Sequence, residues 1–319
     1  MNSQAGGMQE VLAGIGSTNV KTEKDVTVKA DGYTDVKALG VNPQEIKGFS
    51  VNSSQANAHI GIGKASAQNL SPWVAGPDQT ADDPQTVKAI IDGGSIEAGG
   101  NFTIYGSNSG SVKSEIKNGS SKSLVKVETG SIKTDSTYKT VVGLENDSAV
   151  TAQNISVTAN DYEKADSQVG SSDGNRSWSL LNLSVIRGEN DVKSDVEVKV
   201  GDNSSLYATN GAINLNTTNG STVNTSTKVA NGSIIGGESL LAETNFDRKV
   251  NVNLGKAAVL EGSKNIEINA VTGKNDSIHT ESDLDSLKFG GIAKAHTIVN
   301  MTNDAIVNVD SKAKIKAGG

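Results

Sequence analysis

The chain has no cysteine, so disulfides, thiolate metal sites and cysteine nucleophiles are excluded. That absence fits a cytosolic protein. It fits equally an exported chain that crosses an outer membrane unfolded. Aromatic residues make up only 3% of the 319 residues, too few to pack one thick core on large rings. There are 3 histidines, far apart at His59, His279 and His296, which gives a histidine metal site no support. No basic block interrupts the net charge of −7, which argues against nucleic acid and anionic membrane as partners. No apolar run approaches the ~20 residues of a membrane span. The opening MNSQAGGMQE lacks the basic and apolar regions of a signal peptide.

What is abundant is the branched aliphatic side chain. Val and Ile together number 53 against 16 Leu. Branched β-carbons suit a pleated surface and crowd a helix, so the expected class is all-β. With small core residues, the interior must be thin and repeated.

A repeat is present. The segments STNVKTEKDVTVKA (17–30), GSIEAGGNFTIYG (94–106), SAVTAQNISVTA (148–159), SSLYATNGAINLN (204–216), AAVLEGSKNIEINA (257–270) and AKIKAGG (313–319) share one pattern. Their first apolar residues are Val20, Ile96, Val150, Leu206, Val259 and Ile315, with gaps of 76, 54, 56, 53 and 56. A third alternating piece precedes them at 58–63, 123–130, 195–201, 249–255 and 305–310. A looser lead-in recurs at 183–194, 240–249 and 295–304. Corners of two to four residues lack the regular Asn-Gly or Asp-Gly of hairpins. They suit a chain that turns and winds on. The expected architecture is a right-handed parallel β-helix, a solenoid with a module of about 53–56 residues, filled by ladders of inward Val, Ile and Leu. Coils of about 20 residues would give roughly 13–15 turns. A β-sandwich or propeller of unrelated short strands is the competing architecture. The whole of 1–319 is expected to be one segment of a longer repeat protein.

Two stretches break the pattern. Residues 69–85, NLSPWVAGPDQTADDPQ, hold three of the four prolines and Trp73, and proline cannot donate to a ladder. They are expected to form a loop insertion. Trp73 either stacks on a partner or lies on the wall and pins the loop; with Asp78, Asp82 and Asp83 it is the candidate partner contact. The polar stretch 161–178 is expected to be a second loop, anchored by Trp178. Residues 277–290 suit either a short helix or an extended loop.

No catalytic constellation stands out. The densest acidic patch, 187–202, holds Glu189, Asp191, Asp195, Glu197 and Asp202 interleaved with lysines and alternating with valines, as on the solvated face of a strand. No nucleophile elbow, phosphate loop or calcium nonapeptide occurs. No catalytic, cofactor or metal residue is assigned, and a non-enzymatic role is expected.

The segments LSVIRGENDVKSDVEVKVGDNSSLYATNGAINLN (183–216) and GGIAKAHTIVNMTNDAIVNVDSKAKIKAGG (290–319) resemble the repeat unit of very large bacterial exoproteins. These are the leukotoxin-type and filamentous-haemagglutinin-like proteins of the two-partner secretion class, and related autotransporter adhesins. The likeness covers most of 17–319. It is weaker in 31–57 and absent from the proline stretch and from 161–177. It implies right-handed β-helix shafts, secretion or display at the outer surface of a Gram-negative bacterium through an outer-membrane transporter, and contact with a host cell-surface protein or glycan. A polysaccharide-binding or polysaccharide-degrading β-helix is the alternative function.

Overall fold

The computed structural model describes residues 4–7, 10–41, 49–60, 66–68, 84–118, 122–171 and 177–318. Among these residues every regular element is a strand. In chain order the first circuit holds β1 (Gln4–Gly7), β2 (Glu10–Ile15), β3 (Val20–Thr22) and β4 (Val26–Val41). The second holds β5 (Phe49–Ile60), β6 (Ser66–Gln68), β7 (Gln85–Ile91), β8 (Gly94–Ala98) and β9 (Phe102–Asn118). The third holds β10 (Lys122–Leu144), β11 (Ser148–Ala152) and β12 (Ile155–Ser171). The fourth runs through β13 (Ser177–Val200) and β14 (Ser205–Ala208) into β15 (Ile213–Leu254). The fifth continues β15 and adds β16 (Val259–Gly262), β17 (Ile266–Val271) and the start of β18 (Ser277–Val309). The rest of β18 and β19 (Lys314–Ala317) form the sixth.

Each strand pairs in parallel with its counterpart one circuit later, as in Ile155↔Ile213, Val198↔Val252 and Val252↔Val307. The one antiparallel pairing among the described residues joins β6 to β5. A chain that pairs with the segment about 55 residues on, or 76 on where residues 69–83 intervene, is winding, and the arrangement fits a parallel β-solenoid. The apolar corner forms the continuous ladder Val20–Ile96–Val150–Leu206–Leu260–Ile315. The repeat is therefore in the expected register at five of six positions, with Leu260 in place of Val259.

The coil is larger than expected. One circuit takes the whole module, so six levels stand where 13–15 short coils were anticipated. The levels span only about 24 Å at ~4.8 Å each. The cause lies in the lead-ins, which are strand throughout. β13 uses 24 residues and β12 uses 17, and each alternates inward and outward with polar residues in many inward places. Residues 161–171, expected as loop, belong to β12, and Trp178 lies in β13; only 172–176 fall outside the described residues. The half-exposed indole of Trp178 rests on Gly232 of the next level, where a Cβ would sit 2.4 Å from the ring, so it covers the outer wall. Residues 277–290 are strand, neither the short helix nor the extended loop expected. The third alternating pieces of the second and third circuits are 85–91 and 138–144, paired with 194–200, and not 58–63 and 123–130.

Two long walls face each other and a short wall closes one end. The corner before the short wall places Gly93, Asp147, Asn203, Ala257 and Lys312 at positive φ, between 55° and 74°. These residues stack at equivalent positions of successive levels. A left-handed residue at each level turns the chain sharply, and inter-level bonds run through the turn, as in Asn203 N–H to Lys256 O at 2.9 Å.

The interior is banded. Beside the short wall lies the main apolar core, with Ile96, Phe102, Val142, Ile155, Val198 and Ile213 buried in it. Farther along come two smaller apolar groups, around Val192 and Phe246 and around Ile132, Ile186 and Leu240. Between them run polar bands, so the expected filling of aliphatic ladders holds for only part of the section. One band is a hydrogen-bonded chain crossing from wall to wall as it climbs. It links Thr134, Ser167, Asn190, Thr225, Thr244 and Thr280 over contacts of 2.5 to 2.9 Å. Each buried hydroxyl or amide thus meets a partner from a facing strand, which offsets its desolvation.

Candidate functional site

Trp73, Asp78, Asp82 and Asp83, the candidate partner contact, lie outside the described residues, as does most of 69–85. The site that can be built concerns charge, in two places: a flat outer wall and a buried band.

On the outer wall, the alternation of β10, β13 and β15 turns Lys133, Asp135, Arg187, Glu189, Asp191, Glu243 and Asn245 outward. The register stacks Lys133 on Glu189 on Glu243, and Asp135 on Asp191 on Asn245. Lys133 Nζ lies 2.9 Å from Asp191, 3.4 Å from Asp135 and 3.5 Å from Glu189. Arg187 bridges Glu189 at 2.9 Å and Glu243 at 3.1 Å. Partial burial works against the Lys133 charge, yet the carboxylates around it raise its pKa. Burial and the Asp191 charge raise Glu189. Asp191 resists burial and falls below its usual value because Asn245 and Lys133 donate to it. Amide ladders extend this wall: Asn245 donates to Asp191, and Asn300 to Asn245, each at 2.8 Å. The acidic patch legible in the sequence is therefore a self-neutralising lattice on a strand face. Around the corner, a depression of about 370 Å³ is lined by Tyr207, Thr209, Glu261, Ser263 and Lys316, with Lys316 held by Glu261 at 2.5 Å.

The buried band was not legible as a site. Tyr138 and Arg248 from one long wall face Asp161, Glu163 and Ser221 from the other, all fully or nearly fully buried. Arg248 grips Asp276 with both Nη atoms, at 2.9 and 2.8 Å, and donates to Ser221 Oγ at 3.1 Å. Its Nε donates to Asn303 at 2.8 Å, and the guanidinium sits 4.7 Å from the Phe246 ring. Asp161 accepts from Thr140 and, at 2.9 Å, from Ser194. Glu163 accepts from Ser221 at 2.8 Å through Oε2, while Oε1 and the Tyr138 hydroxyl have no partner among the described residues. One signal was available: Ile155, Val157 and Ala159 point inward, and the same phase carries on to Asp161 and Glu163.

Burial pushes Glu163 up to about 7 and holds Asp161 well above the usual carboxylate range. Glu163 is faced by Asp161, Tyr138, Arg248 and Asp276, of which Arg248 alone favours its charge. The folded state then keeps a proton that the unfolded state releases near pH 4.5. The contribution of Glu163 to stability is greatest below that pH, falls as pH rises to about 7, and levels above it, a drop of about 3 kcal/mol. Glu163→Gln is expected to match the parent at pH 4 and exceed it by about that amount at pH 8. Urea midpoints at several pH values check this, and parallel profiles for the two proteins would contradict it.

No group of three or more potential metal ligands occurs among the described residues, and no helix there is long and apolar enough to cross a membrane. No known family model, curated protein or solved structure matches this chain.

Proposed function

We propose that the chain is a non-enzymatic shaft and binding segment of a secreted or cell-surface bacterial adhesin or leukotoxin-like exoprotein, folded as a right-handed parallel β-helix. The observation that carries the reading is the unbroken six-level stack, whose outer charges are spent on one another between levels. Such a wall is stiff and solvated, and suits a spacer that projects a contact region. The supporting resemblance is that of 183–216 and 290–319 to exoprotein repeats. In this reading the parent protein leaves a Gram-negative cell through an outer-membrane transporter and meets a host protein or glycan. Binding of the 319-residue chain to cultured animal cells and to a glycan array tests it. Loss of binding on deleting 71–84, or in Trp73→Ala, assigns the contact to that stretch. Absence of binding to any cell or glycan would overturn the adhesive role.

Two observations favour a polysaccharide-directed alternative: the carboxyl pair Glu189 and Asp191, pushed in opposite directions, and the depression beside Tyr207. Incubation with acidic polysaccharides distinguishes it, because unsaturated or shortened products that vanish in Glu189→Gln would displace the shaft reading.

A further inference from the structure

At the end of the section away from the short wall, the usual polarity of a strand wall is reversed. Across 123–131, 179–185 and 233–239 every charged side chain points inward: Lys126, Glu128 and Glu238 are buried. Lys126 pairs with Glu128 at 2.8 Å and Glu238 with Lys288 at 3.2 Å, so these charges are satisfied inside. The outward positions are taken by apolar side chains. The pairing skips one residue in each of the last four levels, between Ser123↔Ser179↔Ser233↔Lys288 and Val125↔Leu181↔Ile235↔Gly290. The skipped residues are Leu124, Leu180, Ile234 and Phe289. They are 59%, 46%, 47% and 95% exposed. Leu181 and Ile235 stand beside them, also about half exposed. A bend that recurs level by level thus carries one large apolar knob per level, in a ridge parallel to the solenoid axis.

We propose that this ridge is a lateral dimerisation surface whose occupant is a second copy of this chain. Three features favour a copy. The ridge and its apolar neighbours expose on the order of 1,000 Å², above the few hundred usual for a monomer and near the ~800 Å² each partner gives to a standard interface. The windows 123–131, 179–185 and 233–239 turn no charge outward, and the exposed charges beside them, Lys122 and Asp285, are of opposite sign, so two copies meet there without a central clash of like charges. Its knobs repeat at the inter-strand spacing of ~4.8 Å, and only a surface with that same period can interdigitate along its length. A second copy has it by construction, and a two-fold axis across the ridge closes the assembly at two.

Sedimentation and light scattering of the full chain across a micromolar concentration series test the proposal. The expected result is a reversible species of twice 32.8 kDa. Leu180→Glu combined with Ile234→Glu changes only outward side chains. It is expected to weaken association at least about a hundredfold, as loss of two central contacts does, with an unchanged circular dichroism spectrum. Should that variant misfold, Leu180→Ser with Ile234→Ser gives the same reading more gently. A parent that stays monomeric, a dimer that survives in a folded variant, or growth beyond two copies would each overturn the proposal. So would a monomer that instead sediments with phosphatidylcholine vesicles. The outcome does not depend on whether the shaft binds a host.

Discussion

Val252→Asp and Ile213→Asp are each expected to lose on the order of 5 kcal/mol, enough to unfold the stack near room temperature. Val252 lies in the inward ladder Val142–Val198–Val252–Val307, and Ile213 in Phe102–Ile155–Ile213–Ile266. Both are completely buried in the main core, where nothing polar is placed to meet a carboxylate. The group must either stay charged without solvent or take up a proton, and both costs fall on the folded state alone. Each lesion also sits between two levels, one on either side. A solenoid is held by nearest-neighbour contacts, so separating one level exposes the faces of two others. Asn251→Asp is the control. Asn251 is turned to the outer wall opposite Glu197, and a like charge there costs less than about 1 kcal/mol. Thermal or urea melting of the three variants decides the matter. Equal shifts would mean that the inward and outward faces of this wall have been exchanged.

The same alternation explains what could be read from the sequence. The module length and the apolar corner were legible because Val20, Ile96, Val150, Leu206 and Ile315 sit where a small side chain must follow and the chain must turn. The number of coils was not legible. Short polar runs such as RGENDVKS look like corners when Thr, Ser, Asn and Asp are assumed to point out. In this chain Asn190 and Thr225 point in and find each other across the section at 2.6 Å. Hydropathy cannot separate an inward, partnered Thr from an outward one. Spacing could have corrected one error. Val196 and Val250 each precede their corner residues, Leu206 and Leu260, by 10 positions, whereas Val125 precedes Val150 by 25. The piece at 123–130 could not be the equivalent strand. The one local sign that Arg248 is buried is its phase, two residues from Phe246 and Val250 on the inward side. Its neighbours Asp247 and Lys249 are charged, and its partner Asp276 is 28 residues away on the facing wall.

Arg248 offers the second large effect, and it bears on why a polar band persists in the interior. Arg248→Met is expected to cost about 3–5 kcal/mol. The methionine fills much of the space but leaves Asp276 without its two guanidinium bonds, and Ser221 and Asn303 each lose a donor. Glu163 also loses the one nearby positive charge that favours its ionised form, so its pKa rises further and the stability drop between pH 4.5 and 7 extends to higher pH. A compensating change separates the ion pair from the packing. Adding Asp276→Asn removes the stranded charge but keeps an oxygen for the Ser221 backbone N–H, which now donates to Asp276 at 2.9 Å. The double variant is therefore expected to recover roughly 1–2 kcal/mol of the loss. Full recovery is not expected, because the Phe246 ring still loses its cation and Asn303 its donor. A single variant as stable as the parent would mean that the band contributes nothing to holding the walls together. In that case the long facing strands would be fixed by the three apolar groups and the hydroxyl chain alone.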